Sequence, residues 1–159
     1  MITREKANTL LNQLWKQTSS NSTTYYYVGL STTEPKPDGT NFTEPEIPEG
    51  AVDDDGNAIT VNEYQRVSMA GCMGDASNGI LRNSKKILFF NEAEHYAWGD
   101  ITHVGIFTSS SGGTPIFWAE LTAPVTVSKN YIPIFRVNKF QIGLDNDPAN
   151  ELDGKGNKV

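Results

Sequence analysis

One stretch of this chain, residues 3–16, spaces its apolar side chains for a helix, and no later stretch does. Ala7, Leu10, Leu11 and Leu14 fall at i, i+3, i+4 and i+7, with Trp15 beside them. Thr3 can cap the first turn, and Glu5 suits the positive end of the helix dipole. The opposite face carries Glu5, Asn8, Asn12 and Lys16. A stripe of this kind packs either on the chain's own sheet, the commoner outcome in a compact domain, or on a neighbouring subunit.

Every later apolar run is short and bounded by turn-forming residues. Tyr25-Tyr26-Tyr27-Val28-Gly29-Leu30-Ser31 reads as a strand, rich in aromatic and β-branched residues. From Thr33 to Asn62 the chain holds Pro35, Pro37, Pro45 and Pro48, many acidic residues and almost no apolar periodicity. That segment is a long surface loop with a small hairpin at Asp55-Gly56-Asn57. Strands follow at Tyr64–Met69, Ile80–Arg82 and Ile87–Phe90. Ile101–Thr108 and Ile116–Thr122 are joined by the turn-rich Ser109–Thr114. Val125–Ser128 turns at Lys129-Asn130 into a last strand from Tyr131. Within that last strand the apolar parity changes between Val137 and Phe140, which predicts a β-bulge at Asn138-Lys139. Asn, Ser and Thr supply 40 of the 159 residues, a composition suited to turns and β-surfaces. The expectation is a mainly-β chain, an antiparallel β-sandwich with one N-terminal α-helix. A single domain over 1–144 with a flexible tail over 145–159 fits the length and the polar C-terminal composition.

The chemistry on offer is sparse. A net charge of −6 argues against nucleic acid as the main partner, since phosphate binding needs surplus Lys and Arg. No apolar run approaches the length of a membrane span, and none at the N-terminus resembles a secretory signal. Cys72 is the only cysteine, which excludes an intrachain disulfide framework. It reads as a buried small residue. His95 and His103 lack a second His or Cys at ligand spacing, so both read as structural or surface histidines and no metal is assigned. Asp53-Asp54-Asp55-Gly56-Asn57 fails the EF-hand register: counted from Asp53, Gly56 falls at position four where the loop needs its glycine at six, and Tyr64 stands at twelve in place of a bidentate Glu. It reads as an acidic turn tip in water. No Gly-x-Ser-x-Gly elbow and no phosphate-binding loop occur. The chain therefore offers no enzyme signature and no cofactor motif. Aromatic side chains remain: exposed rings among Tyr25–Tyr27, Trp98 and Trp118 would stack on sugars or fill an interface.

Taken in order, several segments carry a resemblance. They are Tyr27-Val28-Gly29-Leu30-Ser31-Thr32-Thr33-Glu34-Pro35, Asp38-Gly39-Thr40, Glu44-Pro45 and Tyr64-Gln65-Arg66-Val67. Asn83-Ser84, Ile87-Leu88-Phe89-Phe90 and Trp98-Gly99-Asp100-Ile101-Thr102-His103-Val104-Gly105-Ile106-Phe107 follow. Leu121-Thr122-Ala123-Pro124-Val125-Thr126-Val127 and Phe140-Gln141-Ile142-Gly143-Leu144 close the series. Together they resemble a family of small tailed-phage virion proteins, the tail-fibre-like family. The acidic stretch Ile47–Asn62 and the residues after Leu144 are longer than that pattern. The resemblance implies a non-enzymatic component of a bacteriophage particle, in a tail fibre, a baseplate or a capsid decoration. It would be made in the host cytoplasm and released by lysis. Its partners would be other virion proteins and further copies of itself, with no nucleic acid and no membrane insertion. The candidate assembly interface is Leu10, Leu11, Leu14 and Trp15. Tyr64, Trp98 and Ser110 are candidate outward contacts. The alternative is a carbohydrate-binding module that recognises a host-surface glycan through exposed aromatics.

Overall fold

A computed structural model describes residues 2–16, 26–89 and 93–144. Its elements in chain order are α1 (Arg4–Lys16), β1 (Tyr27–Ser31), β2 (Val67–Ser68), β3 (Ile80–Arg82) and β4 (Ile87–Leu88). Then come β5 (Gly99–Phe107), β6 (Phe117–Val127), β7 (Ile134–Phe135) and β8 (Gln141–Gly143). The fold is mainly β with one N-terminal helix, built from antiparallel pairs in a sandwich-like arrangement. The chain packs as two compact units: one takes segments 1–24, 71–86 and 135–159, the other segments 25–70 and 87–134.

In the first unit α1 packs on β3, and β3 pairs with β8. Thr3 caps the helix as its position predicts: its carbonyl accepts from Ala7 N–H at 2.8 Å and its hydroxyl from Lys6 N–H at 3.2 Å. Ala7 and Leu11 are buried, Leu14 and Trp15 half-buried, and Leu10 is 38% exposed. Asn8 and Asn12, expected on the outer face, instead dock the helix. Their Oδ1 atoms accept from Gly79 N–H at 2.7 Å and Ala76 N–H at 2.9 Å. The packed face is therefore rotated from the leucine stripe toward these two amides, since their acceptors satisfy turn N–H groups that burial would otherwise leave unpaired. Leu11 belongs to this core and is withdrawn from the assembly interface expected for it.

The terminal strand differs from the expected bulged one. A turn at Val137–Lys139 splits it into β7 and β8, with Asn138 at φ +62° and Lys139 N–H donating to Arg136 O at 3.0 Å. The buried Asn83 organises this turn. Its side chain donates to Lys85 O at 2.8 Å and Arg136 O at 2.9 Å, and accepts from Phe140 N–H at 2.9 Å. Phe135 and Phe140 meet edge to face across it, 5.3 Å apart.

The second unit is built on a four-stranded sheet in the order β2-β1-β5-β6. β1 pairs with β5 over its whole length, with Gly29 opposite Gly105 and Val28 opposite Ile106. β6 is the long edge strand, and two expected strands merge in it. Ile101 faces Val125 while His103 faces Glu120, so Leu121–Pro124 stand opposite Thr102 alone. Pro124 cannot donate to a ladder, and the bulge places it where no donor is needed.

Candidate functional site

Gly29 and Gly105 leave one face of the β1–β5 pair without side chains, and loop residues fill the space. A Cβ on Gly105 would lie 2.6 Å from the Phe42 ring, and one on Gly29 would lie 2.7 Å from the Phe107 ring. Phe42 and Phe107 meet at 5.1 Å in a T-shaped contact. Tyr64 reaches the same place: its oxygen accepts from Leu30 N–H at 2.7 Å and its O–H donates to Glu44 Oε1 at 2.8 Å. Burial, reinforced by the Glu44 charge, pushes the Tyr64 phenol well above its ordinary range, so it stays protonated and donating.

Arg66 closes the arrangement. Nε and Nη2 bind the two oxygens of Glu44, each at 2.8 Å, and the guanidinium lies 3.4 Å from the Phe107 ring centroid. Nη1 donates to Ser109 O at 3.0 Å and Gly112 O at 2.8 Å. A single buried side chain thus fixes the tip of the β5–β6 hairpin. A second turn abuts that hairpin, since a Cβ on Gly39 would lie 3.1 Å from Pro115 O. In that turn Asp38 accepts from the Thr40 hydroxyl at 2.7 Å and Thr40 N–H at 3.0 Å, which hold its carboxyl below the usual range. Residues 108–114 and the Asp38–Asn41 turn, apart from buried Gly39, are exposed. The result is a braced, polar, hydroxyl-bearing loop end.

Ser110 lies on this exposed tip. Tyr64 and Trp98 do not face outward: they are 6% and 3% exposed. Both rings belong to an aromatic core with Phe89, where Tyr64 and Trp98 meet edge to face at 5.3 Å. For Tyr64 the physical reason is that its hydroxyl finds partners inside the unit, so burying it carries no unpaired polar group. Trp118 is half-buried, edge-on to the buried His103 at 5.8 Å, and His103 Nδ1 pairs with the Thr102 hydroxyl at 2.8 Å. Tyr27 is half-buried in β1, and Tyr25 lies outside the described residues. No pair of exposed stacked rings forms among the described members of this set, the geometry a sugar platform would require.

A second polar cluster joins residues 62–63 to residues 94–96. Tyr96 O–H donates to Asn62 Oδ1 at 2.6 Å and accepts from Glu63 N–H at 3.0 Å. Glu63 accepts from His95 N–H at 3.0 Å and pairs with His95 Nδ1. That bond to Glu63 raises the His95 pKa. Glu63, Glu94 and His95 offer ligand atoms within 4.8 Å of one another, a grouping that spacing along the chain could not reveal. The Glu63 carboxylate is already engaged by His95. Asp53, by contrast, spends its carboxylate on its own turn, accepting from Asp55 N–H at 3.0 Å and Asn57 N–H at 2.8 Å. Those bonds lower its pKa, chiefly through Asn57, and fit the acidic turn tip expected there. No helix among the described residues is long and apolar enough to cross a membrane.

Large apolar side chains are exposed on and beside the edge strand: Ile116, Phe117 and Val125, with Tyr131, Ile132 and Ile134 after it. One protein-family model, described as podophage GP4 fiber I protein gp80, matches residues 2–143. No curated protein matches the chain.

Proposed function

This chain belongs to the podophage fiber I protein family, and from that premise we propose that it is a non-enzymatic fibre component that works by assembly, with copies of itself and with other virion proteins. The family match over residues 2–143 carries the reading. The surface supports it. Ile116, Phe117 and Val125 lie exposed at the outer strand of the sheet, and apolar residues gathered at a sheet edge mark a contact surface. Leu10, with Leu14 and Trp15 at the border of the helix face, is the second candidate contact. The braced loop end with Ser110 is the outward-facing part in this reading.

Light scattering of the full chain after size-exclusion chromatography tests assembly. The expected result is an oligomer that Phe117→Lys together with Val125→Lys disperses, while Leu10→Lys reports separately on the helix contact. A wild-type chain that stays monomeric at every concentration would contradict self-assembly.

A further inference from the structure

Asn78 and Gly79 form the only Asn-Gly pair in the chain. An Asn before Gly is prone to lose its side-chain amide, because glycine leaves the following backbone nitrogen open to approach. That nitrogen attacks Cγ of Asn78, the new N–Cγ bond closes a succinimide ring, and the Cγ–Nδ2 bond breaks. Ammonia leaves with the hydrogen from Gly79 N–H. A water then opens the ring at either carbonyl, leaving aspartate or isoaspartate at position 78 and a new carboxylate.

Ser77 N–H donates to Ile80 O at 2.9 Å and Ile80 N–H to Ser77 O at 3.0 Å, so Asn78 and Gly79 are the two central residues of a tight hairpin turn. Their φ angles, +53° and +75°, are those of a type I′ turn, which favours Asn-Gly. Asn78 is exposed to water, whereas Gly79 is buried. Attack needs the Gly79 nitrogen to surrender its hydrogen and the peptide to swing toward the side chain. Both movements are blocked. Gly79 N–H donates to Asn8 Oδ1 of α1 at 2.7 Å, which holds both the hydrogen and the Asn78–Gly79 peptide, and Leu144 N–H anchors the next peptide at Gly79 O at 2.9 Å.

We propose that Asn78 is a latent deamidation site, kept unreactive by the hydrogen bond from Gly79 to Asn8 and released when α1 undocks. The modification is one-way. Isoaspartate lengthens the backbone by a methylene, and the turn can no longer return Gly79 to Asn8.

The test incubates the full chain at mildly alkaline pH and follows conversion at position 78 by peptide mapping and mass spectrometry. Four samples are compared: folded wild type, folded Asn8→Ala, folded Asn8→Asp, and wild type in concentrated urea. Circular dichroism reports whether each variant is folded. Folded wild type should convert slowest and the urea sample fastest. Asn8→Ala should convert about five- to tenfold faster than wild type, the population change expected from losing one ordinary hydrogen bond. Asn8→Asp keeps an acceptor and should stay slow. Wild type converting as fast when folded as in urea would overturn the proposal, and so would a folded Asn8→Ala that keeps the wild-type rate. Where Asn8→Ala fails to fold, the conservative variant decides: a folded Asn8→Asp that converts as fast as the urea sample would overturn the proposal.

Discussion

At the scale of single residues, the structure rests on a few side chains that each satisfy several distant backbone groups. Asn83 is fully buried and makes three side-chain hydrogen bonds to backbone atoms in the first unit. Asn83→Ala leaves those partners unpaired, so urea unfolding of that unit should shift by roughly 2–4 kcal/mol. In the second unit Arg66 does comparable work. Its side chain is 4% exposed, and four of its bonds reach Glu44 and the hairpin tip. Arg66→Ala strands the Glu44 carboxylate and should cost about 3–5 kcal/mol in equilibrium unfolding. Arg66→Lys cannot reproduce the planar fork, so amide exchange should accelerate at residues 109–113 even where the fold survives. Gly105→Ala drives a methyl into the Phe42 ring and should cost about 1–3 kcal/mol, part of which Phe42→Leu on the same chain should restore.

At the scale of elements, legibility in the sequence followed the range of the interactions. The helix, its Thr3 cap, the Asp53–Asn57 turn and the Ser109–Thr114 hairpin tip all depend on neighbours a few residues away, and each is where local pattern put it. Longer-range demands were hidden. Periodicity marked Leu10 and Leu11 alike, yet the docking of Asn8 and Asn12 onto residues 76–79 turned only one of them inward. The parity change near Asn138 was real, but Asn83, more than fifty positions away, converts it to a turn rather than a bulge. The break expected between Thr122 and Val125 is absorbed by the bulge in β6. Nothing nearby in sequence tells that Tyr64 will find Leu30 and Glu44 and so be buried. The same holds for the staple between Glu63 and His95. His95 has its pKa raised by Glu63, so its contribution is fully present below the ordinary histidine value of about 6.5. It is lost as pH rises through the raised folded value. Amide exchange at residues 62–64 should therefore quicken with pH beyond the intrinsic trend, and Glu63→Gln should remove that excess while returning the His95 titration, followed by NMR, toward its ordinary midpoint.

At the scale of the whole molecule, two compact units share one chain that passes repeatedly between them, and the family match extends across both. Neither unit is a continuous segment, so deleting residues 1–16 would remove Ala7, Leu11 and the acceptors for Gly79 and Ala76 from the first unit rather than trim an appendage. Surface substitutions are the sounder probe of assembly for that reason. The net charge of −6 fits partners that are proteins better than polyanions. Fibre membership makes a claim about where the protein resides, and that claim can be measured on particles. Quantitative mass spectrometry of gradient-purified virions from the phage that encodes this chain is the most direct test. The protein should be present in the particle at a fixed copy number relative to the other virion proteins and should be retained through a high-salt wash. Its absence from purified particles, with the protein left behind in the lysate, would contradict a role in the fibre.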